Sequence, residues 1–241
     1  MSAPARRSLE LDDEFSCELP GGGHVLFTTR AHGNLSTISG DAHEHGLRAR
    51  EQLCDGLALQ WLCASRQVHG TEVNTIRSAA ASGGQPLAID ADGHATALPG
   101  IGTMVLSADC LPVALGCEGA VALVHAGWRG LAGGVLEQGV RALRELGAGE
   151  RMSAAIGPGA GACCYEVGPE VHAALDERSK IGHQHLRANI DLRAIARQRL
   201  LSVGVSEICE VRACTICDER FFSHRREGER AGRQGGVAWL S

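Results

Sequence analysis

The sequence predicts a single α/β domain, and three observations carry that reading. Two short apolar runs, Pro112–Gly116 and Ala120–His125, have strand length and are bounded by turn residues. Stretches with helical periodicity alternate with such runs, most clearly from Leu131 to Leu146. The 241 residues contain no internal repeat, linker or low-complexity segment, and 44% of them are hydrophobic, enough to fill one core.

Residues 1–20 read as a loose N-terminal extension. His24–Arg30 follows as a first strand, and the polar loop Ala31–Thr37 can bring Arg30 and Asn34 to a surface cleft. The spacing predicts a helix from about His43 to Leu62, with Leu47, Leu53, Leu57, Leu59 and Leu62 turned to the core. Gln67–Gly70 ends a short strand that Val73–Ile76 continues. Residues 78–88 form an exposed Ala/Ser/Gly-rich loop, and Asp90 and Asp92 place two carboxylates at a turn.

The central stretch comes next. The Cys117–Gly119 connection is short enough for a hairpin, which sets Cys110 and His125 side by side. After His125, Ala-Gly-Trp-Arg-Gly makes a strand-to-helix junction whose backbone N–H groups suit an anion. Met152–Ile156 is another strand, leading into a loop, Gly157 to Glu166, whose glycines imply a close approach. Helices at about 168–176 and 191–203 flank polar residues 178–188. Glu207–Arg212 and Val237–Leu240 are strands on either side of an Arg-dense tail.

Composition removes several functions. A formal net charge of −5 argues against nucleic acid as the partner. Lys180 is the single lysine among 23 basic residues, so Schiff-base chemistry is disfavoured and bidentate anion recognition by arginine is favoured. No apolar leader and no long apolar run is present, so a soluble, cytoplasmic protein without membrane contact is expected. In that compartment the 10 cysteines read as small buried hydrophobes plus one or two reactive or ligating thiols.

His69, Cys110 and His125 each stand at a strand end before a small or polar turn. One thiol and two imidazoles could hold a tetrahedral metal with one position left for water. Equally, Cys110 and His125 could be a nucleophile and its base, or ordinary core residues. Asp109, beside the cysteine, could orient a ligand, shuttle a proton or cap a turn. Cys214-x-x-Cys217 lacks a second pair and reads as two thiols in a turn, and Cys163-Cys164 as a reduced, packed loop. The pairs His43/His45 and His183/His185 are too few for a multicopper cluster. Gly157–Gly161 lacks the lysine of a phosphate-binding loop. Arg30, Arg50, Arg129, Arg225 and Arg226 lie near Gly-containing turns and suit an anionic substrate.

Taken together, Gln67–Gly70 (QVHG), Ala108–Val113 (ADCLPV), Val124–Gly130 (VHAGWRG), Ile156–Gly168, Cys214-Thr215 and Phe221–Gly228 (FFSHRREG) resemble the laccase-domain family, also called YfiH-like or polyphenol oxidase family proteins. That resemblance implies a single-domain α/β/β/α fold with mixed sheets and a surface cleft. It places the metal ligands on His69, Cys110 and His125, with zinc as the ion and copper as a possible alternative. The activity it implies is purine nucleoside phosphorolysis, with adenosine deamination and methylthioadenosine cleavage, by a monomer that takes a small nucleoside and phosphate. Arg50 falls on the family's phosphate contact, although Ala49 stands where the family has Asn, and the turn after Arg30 is shortened. Arg30, Arg129 and Asn34 complete the expected binding set. The mechanism expected from these residues is that His69, Cys110 and His125 would hold a metal able to activate water for attack on C6 of adenine, while Arg50, with Arg30 and Arg129, would hold phosphate against the ribose. The rival activities are a peptidoglycan-precursor editing hydrolase built on Cys110 and His125, and copper-dependent phenol oxidation.

Overall fold

The computed structural model describes residues 13–19, 21–37, 41–78, 88–147, 149, 151–175 and 188–241. Two sheets form the centre of the molecule. The first holds β1 (Ser16–Leu19), β2 (Gly23–Phe27), β3 (Trp61–Cys63), β6 (Ile101–Ser107) and β13 (Gln234–Leu240), in the order β1-β2-β13-β6-β3. The second holds β4 (Val73–Ile76), β5 (Gly93–Thr96), β7 (Leu111–Cys117), β8 (Ala120–Ala126), β9 (Met152–Ile156) and β12 (Glu207–Glu210), in the order β12-β9-β7-β8-β5-β4. Both are mixed: β3 runs parallel to β6 and β12 parallel to β9, whereas β7 is antiparallel to both β8 and β9. A short antiparallel ribbon of β10 (Glu166–Val167) and β11 (Ala188–Asn189) stands apart from them.

Strand alternation explains the layering. Along β7 and β8, Leu111, Val113, Leu115, Ala122 and Val124 face one way, into a cluster with the helices α3 (Val135–Glu145) and α5 (Leu192–Ser202). Ala114, Val121 and Leu123 face the other way, against Val25, Phe27, Val105 and Ala238 of the first sheet. The outer face of that first sheet is covered by α1 (Asp41–Gly56) through Ala49 and Leu53, packed on Leu26, Leu62, Met104 and Val237. The result is the α/β/β/α sandwich that the resemblance implies.

Several expectations need correction. The helix expected over 43–62 ends at Gly56, because Ala58 takes a left-handed backbone (φ 54°) and Trp61–Cys63 joins the sheet as β3. Leu47, expected in the core, is exposed. The helix expected over 131–146 is two helices, α2 (Trp128–Gly133) and α3, divided at Gly134 (φ 93°), a left-handed position that suits glycine. Residues 67–70 form no strand, only a bridge at Arg66 to Asp90. The segment expected to be a loose extension contains β1 from Ser16, and Phe15 is buried edge-on against Phe221 at 5.3 Å. Cys17 and Cys209, expected to be reduced, form a disulfide between β1 and β12.

The other expected elements fall near their places, with α4 (Pro169–Leu175) and α5 for the two late helices. α5 is capped by the Asp191 carboxylate, which accepts from the Ala194 N–H at 3.0 Å. The expectations for residues 79–87, 178–187 and the pair His183/His185 lie outside the described residues.

Candidate metal centre

Sheet register assembles the centre. Pro112 pairs with His125 and Leu111 with Ala126, so Cys110 stands just past the hairpin's open end beside His125. Gly93 of β5 pairs with Val124, which brings Asp92 alongside His125 from the other flank. The His125 N–H donates to the Asp92 carbonyl at 2.6 Å. His69 arrives from the loop after Arg66. The ligand atoms of His69, Cys110 and His125 all lie within 4.8 Å of one another, and the two imidazole rings meet edge to face at 4.9 Å.

Asp92 holds two sides of this group together. Its side chain is fully buried, and its carboxylate accepts from the N–H groups of Val68 (3.0 Å), His69 (3.0 Å) and Gly70 (2.7 Å) and from His125 Nδ1 (2.9 Å). A carboxylate can only accept, so His125 carries its proton on Nδ1 and turns Nε2 to Cys110. Burial pushes the Asp92 carboxyl up, but His125 and the backbone donors outweigh it and leave it below its usual range.

The same competition sets the thiol. Burial raises Cys110, yet His125 and His69 more than reverse this and bring it down to about 6. Burial lowers His125, but the Cys110 thiolate and Asp92 raise it to about 9. Both shifts run toward a thiolate on Cys110 and a proton kept on His125, a pair that a cation can bridge by displacing the imidazole proton. His125 is buried while His69 is exposed, so one side of the centre opens to solvent.

Backbone strain and close packing point to the same spot. Among the described residues, the non-glycine positions with positive φ are Ala58, His69 (59°) and Asp109 (92°). Two of them border the centre, where strain is commonly retained for function. A Cβ on Gly127 would sit 2.9 Å from Cys110 Sγ and 3.3 Å from His69 Cδ2.

Asp109 does not face His69, Cys110 or His125 in its hydrogen bonds. Its carboxylate accepts from Thr215 Oγ1 at 2.7 Å and from the Arg225 N–H at 2.6 Å, and its carbonyl accepts from the Ala160 N–H at 2.8 Å. The binding candidates are distributed differently. Arg30 pairs with Glu227, donates to the Phe221 carbonyl and stacks on Phe222. Arg50 is half-buried, desolvation lowers it to about 10, and it donates to the Leu35 carbonyl at 3.0 Å. The Asn34 side chain accepts from the Ser36 and Arg233 N–H groups. Arg129 lies over the Trp128 ring at 4.2 Å. Both Arg129 and Arg225 act electrostatically on Tyr165, as do Cys110 and Asp109.

Sequence reasoning missed Asp92 as the organiser of the centre and Tyr165 altogether. Asp92 carried one signal, a carboxylate ending a turn before a buried strand. Tyr165 carried none beyond being the only tyrosine of the chain. The glycines of the 157–161 loop do make close approaches: Cβ atoms at Gly157 and Gly159 would meet Phe27 and Leu111 at 2.5 Å.

The chain is similar to known proteins along most of its length. It is 40% identical to a purine nucleoside phosphorylase of Xylella fastidiosa, over 92% of this chain and 88% of the relative. It is 37% identical to purine nucleoside phosphorylase YfiH of Escherichia coli, over 86% of each chain. Its fold is similar to the crystal structure of the Bacillus licheniformis hypothetical protein YfiH, with a TM-score of 0.82 and 27% identity over 91% of this chain and 93% of the other. Residues 22–241 match the family described as multi-copper polyphenol oxidoreductase laccase, and the chain belongs to that family.

Proposed function

We propose that this chain is a metal-dependent purine nucleoside phosphorylase, with the reaction centred on His69, Cys110 and His125. The observation that carries this is the convergence of two imidazoles and a thiolate, oriented by buried Asp92 and open to solvent on one side. The relatives named purine nucleoside phosphorylase support it. Three protein ligands with nitrogen and sulfur donors suit zinc with one open position, and copper is the alternative. A bound zinc would supply Lewis-acid stabilisation of negative charge.

The remaining roles belong to the chain. Arg129, with Arg225, offers the positive charge for phosphate, since both lie close enough to act electrostatically on Tyr165, as Cys110 does. Tyr165, carrying Arg225 against its ring at 5.0 Å, can pack on a base or sugar and donate its hydroxyl. Arg30, Arg50 and Asn34 hold the surrounding loops through Glu227, Leu35 and Arg233, and so position the walls of the site. Asp109 acts as a positioning residue that ties Thr215 and Arg225 to the cysteine loop. Adenosine deamination and methylthioadenosine cleavage belong to the same proposal, since each presents the same purine to the centre.

The test is phosphate-dependent release of base from inosine, adenosine and methylthioadenosine, with ammonia release from adenosine measured in parallel. Loss of both activities on chelation, recovery with zinc, and their absence in Cys110→Ala support the reading. The Cys110–His125 pair, its thiol shifted down and its imidazole up, gives a second reading, a metal-free cysteine hydrolase of the kind a peptidoglycan-editing enzyme would use. Hydrolysis of a cell-wall precursor that survives chelation but dies on alkylation would replace the first reading with that one. Oxygen uptake with phenols after copper loading would replace it with phenol oxidation.

A further inference from the structure

A second cluster of soft ligands lies on the side of the fold where the 157–166 loop meets the Arg-dense tail. We propose that Cys163, Cys164, Cys214 and Cys217 hold one zinc ion as a structural site, separate from the His69–Cys110–His125 centre and independent of the activity assigned to it.

The four Sγ atoms lie within 4.8 Å of one another. Cys163 is 3.5 Å from both Cys164 and Cys217, and Cys164 is 2.9 Å from Cys217. A single zinc bonded to four thiolates at about 2.3 Å has sulfur–sulfur edges of about 3.8 Å. The three shortest spacings fall below that length while every pair stays within 4.8 Å, so an opening of about 0.3 Å at two contacts and about 0.9 Å at the Cys164–Cys217 pair completes the tetrahedron. A multi-iron cluster would need the sulfurs spread further apart. Four sulfurs without a carboxylate or imidazole make a soft donor set, which selects zinc or cuprous copper over magnesium or calcium.

The backbone is arranged for sulfur anions. The Gly161 N–H donates to Cys214 Sγ at 3.2 Å, and the N–H groups of Ile216 and Cys217 point at the same sulfur. Gly161 is also the position at which a side chain would intrude, since its Cβ would lie 3.0 Å from Cys214 Cβ and 3.2 Å from Cys163 Sγ. A disulfide would account for two of these thiols but not for four converging on one point.

The site has a structural consequence. Gly159 and Thr215 already pair the two loops through the Thr215 N–H and the Gly159 carbonyl at 3.1 Å. Thr215 in turn holds the Asp109 carboxylate. A zinc ion bridging Cys163/Cys164 to Cys214/Cys217 clamps the loops that fix Asp109 beside Cys110. On binding, each thiol releases its proton to water, and no oxidant or reductant is consumed.

The experiment is metal counting on the full chain, purified with reductant, incubated with excess zinc and desalted. Wild type should retain two zinc ions per chain, Cys110→Ala one, and the double variant Cys214→Ser/Cys217→Ser one. Cobalt loaded into Cys110→Ala should give the intense charge-transfer absorption of four-thiolate coordination, and Cys163→Ser should shift that absorption even if the double variant fails to fold. A double variant that keeps the wild-type zinc count overturns the proposal. So does cobalt without a four-sulfur signature, or mass spectrometry showing these cysteines paired as disulfides in protein that takes up no second ion. Because Cys110→Ala empties the first centre, failure here leaves the phosphorylase reading untouched, and the converse holds.

Discussion

A side chain at Gly127 would crowd the Cys110 thiol and the His69 ring. The glycine's φ of −73° is open to any residue, so the demand is purely steric: an added methyl would press on Cys110 Sγ at 2.9 Å. Gly127→Ala should therefore fold with near wild-type stability and lose the one ion expected at His69, Cys110 and His125, measured by metal analysis in the Cys214→Ser/Cys217→Ser background beside circular dichroism. Retained metal would show that the thiolate does not point where the ion sits. Asp92 makes a different demand, because its two oxygens each serve two donors and an amide would turn its NH2 group toward two of them. Asp92→Asn should weaken zinc affinity by about 10- to 100-fold, the usual effect of losing a carboxylate behind a metal-bound histidine. A competitive chelator titration reads this directly, and unchanged affinity would remove Asp92 from the centre.

At the scale of elements, β5 carries a titratable group that the centre does not use. His94 is buried, with Nδ1 3.4 Å from Cys63 Sγ, and burial lowers it from 6.5 to about 4. The folded state thus binds its proton less readily than the unfolded state. The stability from neutral His94 is complete above pH 6.5, declines as pH falls below it, and is gone once pH drops through about 4. At about 1.4 kcal/mol per pKa unit, the loss is about 3 kcal/mol. Denaturant titrations at stepwise pH should show this slope in wild type and a flatter one in His94→Gln; identical slopes would mean that His94 titrates normally. Elements also show what the sequence made legible. β7, β8 and the pairing of Cys110 with His125 could be read because continuous apolar runs and a short turn fix a hairpin locally. β6 is apolar at Ile101, Met104, Val105 and Leu106 and carried a strand signal of its own, whereas β5 escaped notice because Gly93–Thr96 carries small and polar residues whose strand character depends on partners far along the chain. The second cysteine cluster was illegible for the same reason, since Cys163 and Cys217 meet only when the Gly159–Thr215 bridge forms.

Across the whole molecule, the two sheets are held by apolar contacts between their inner faces and by a covalent link between their margins. β1 is an outer strand of the first sheet and β12 an outer strand of the second, and Cys17–Cys209 joins them across 192 residues of chain. Such a link acts mainly by restricting the unfolded chain, and a loop of this length belongs at the strong end of the usual range of about 2–4 kcal/mol. For a domain of this size, 1 kcal/mol moves the melting temperature by about 2–4 °C, so the link should contribute roughly 5–15 °C. Cys17→Ser should melt lower than oxidised wild type by that amount. Wild type treated with a phosphine reductant that does not bind zinc should fall to the same temperature, and the same reductant should leave the variant unmoved. The double treatment separates the link from packing. The serine of the variant keeps the size of the side chain, so a loss seen in the variant but not on reduction would mean that β1 depends on contacts at Cys17 and not on the bond. A drop common to both would make the N-terminal strand, anchored by Phe15 against Phe221, part of the cooperative unit that carries His69, Cys110 and His125.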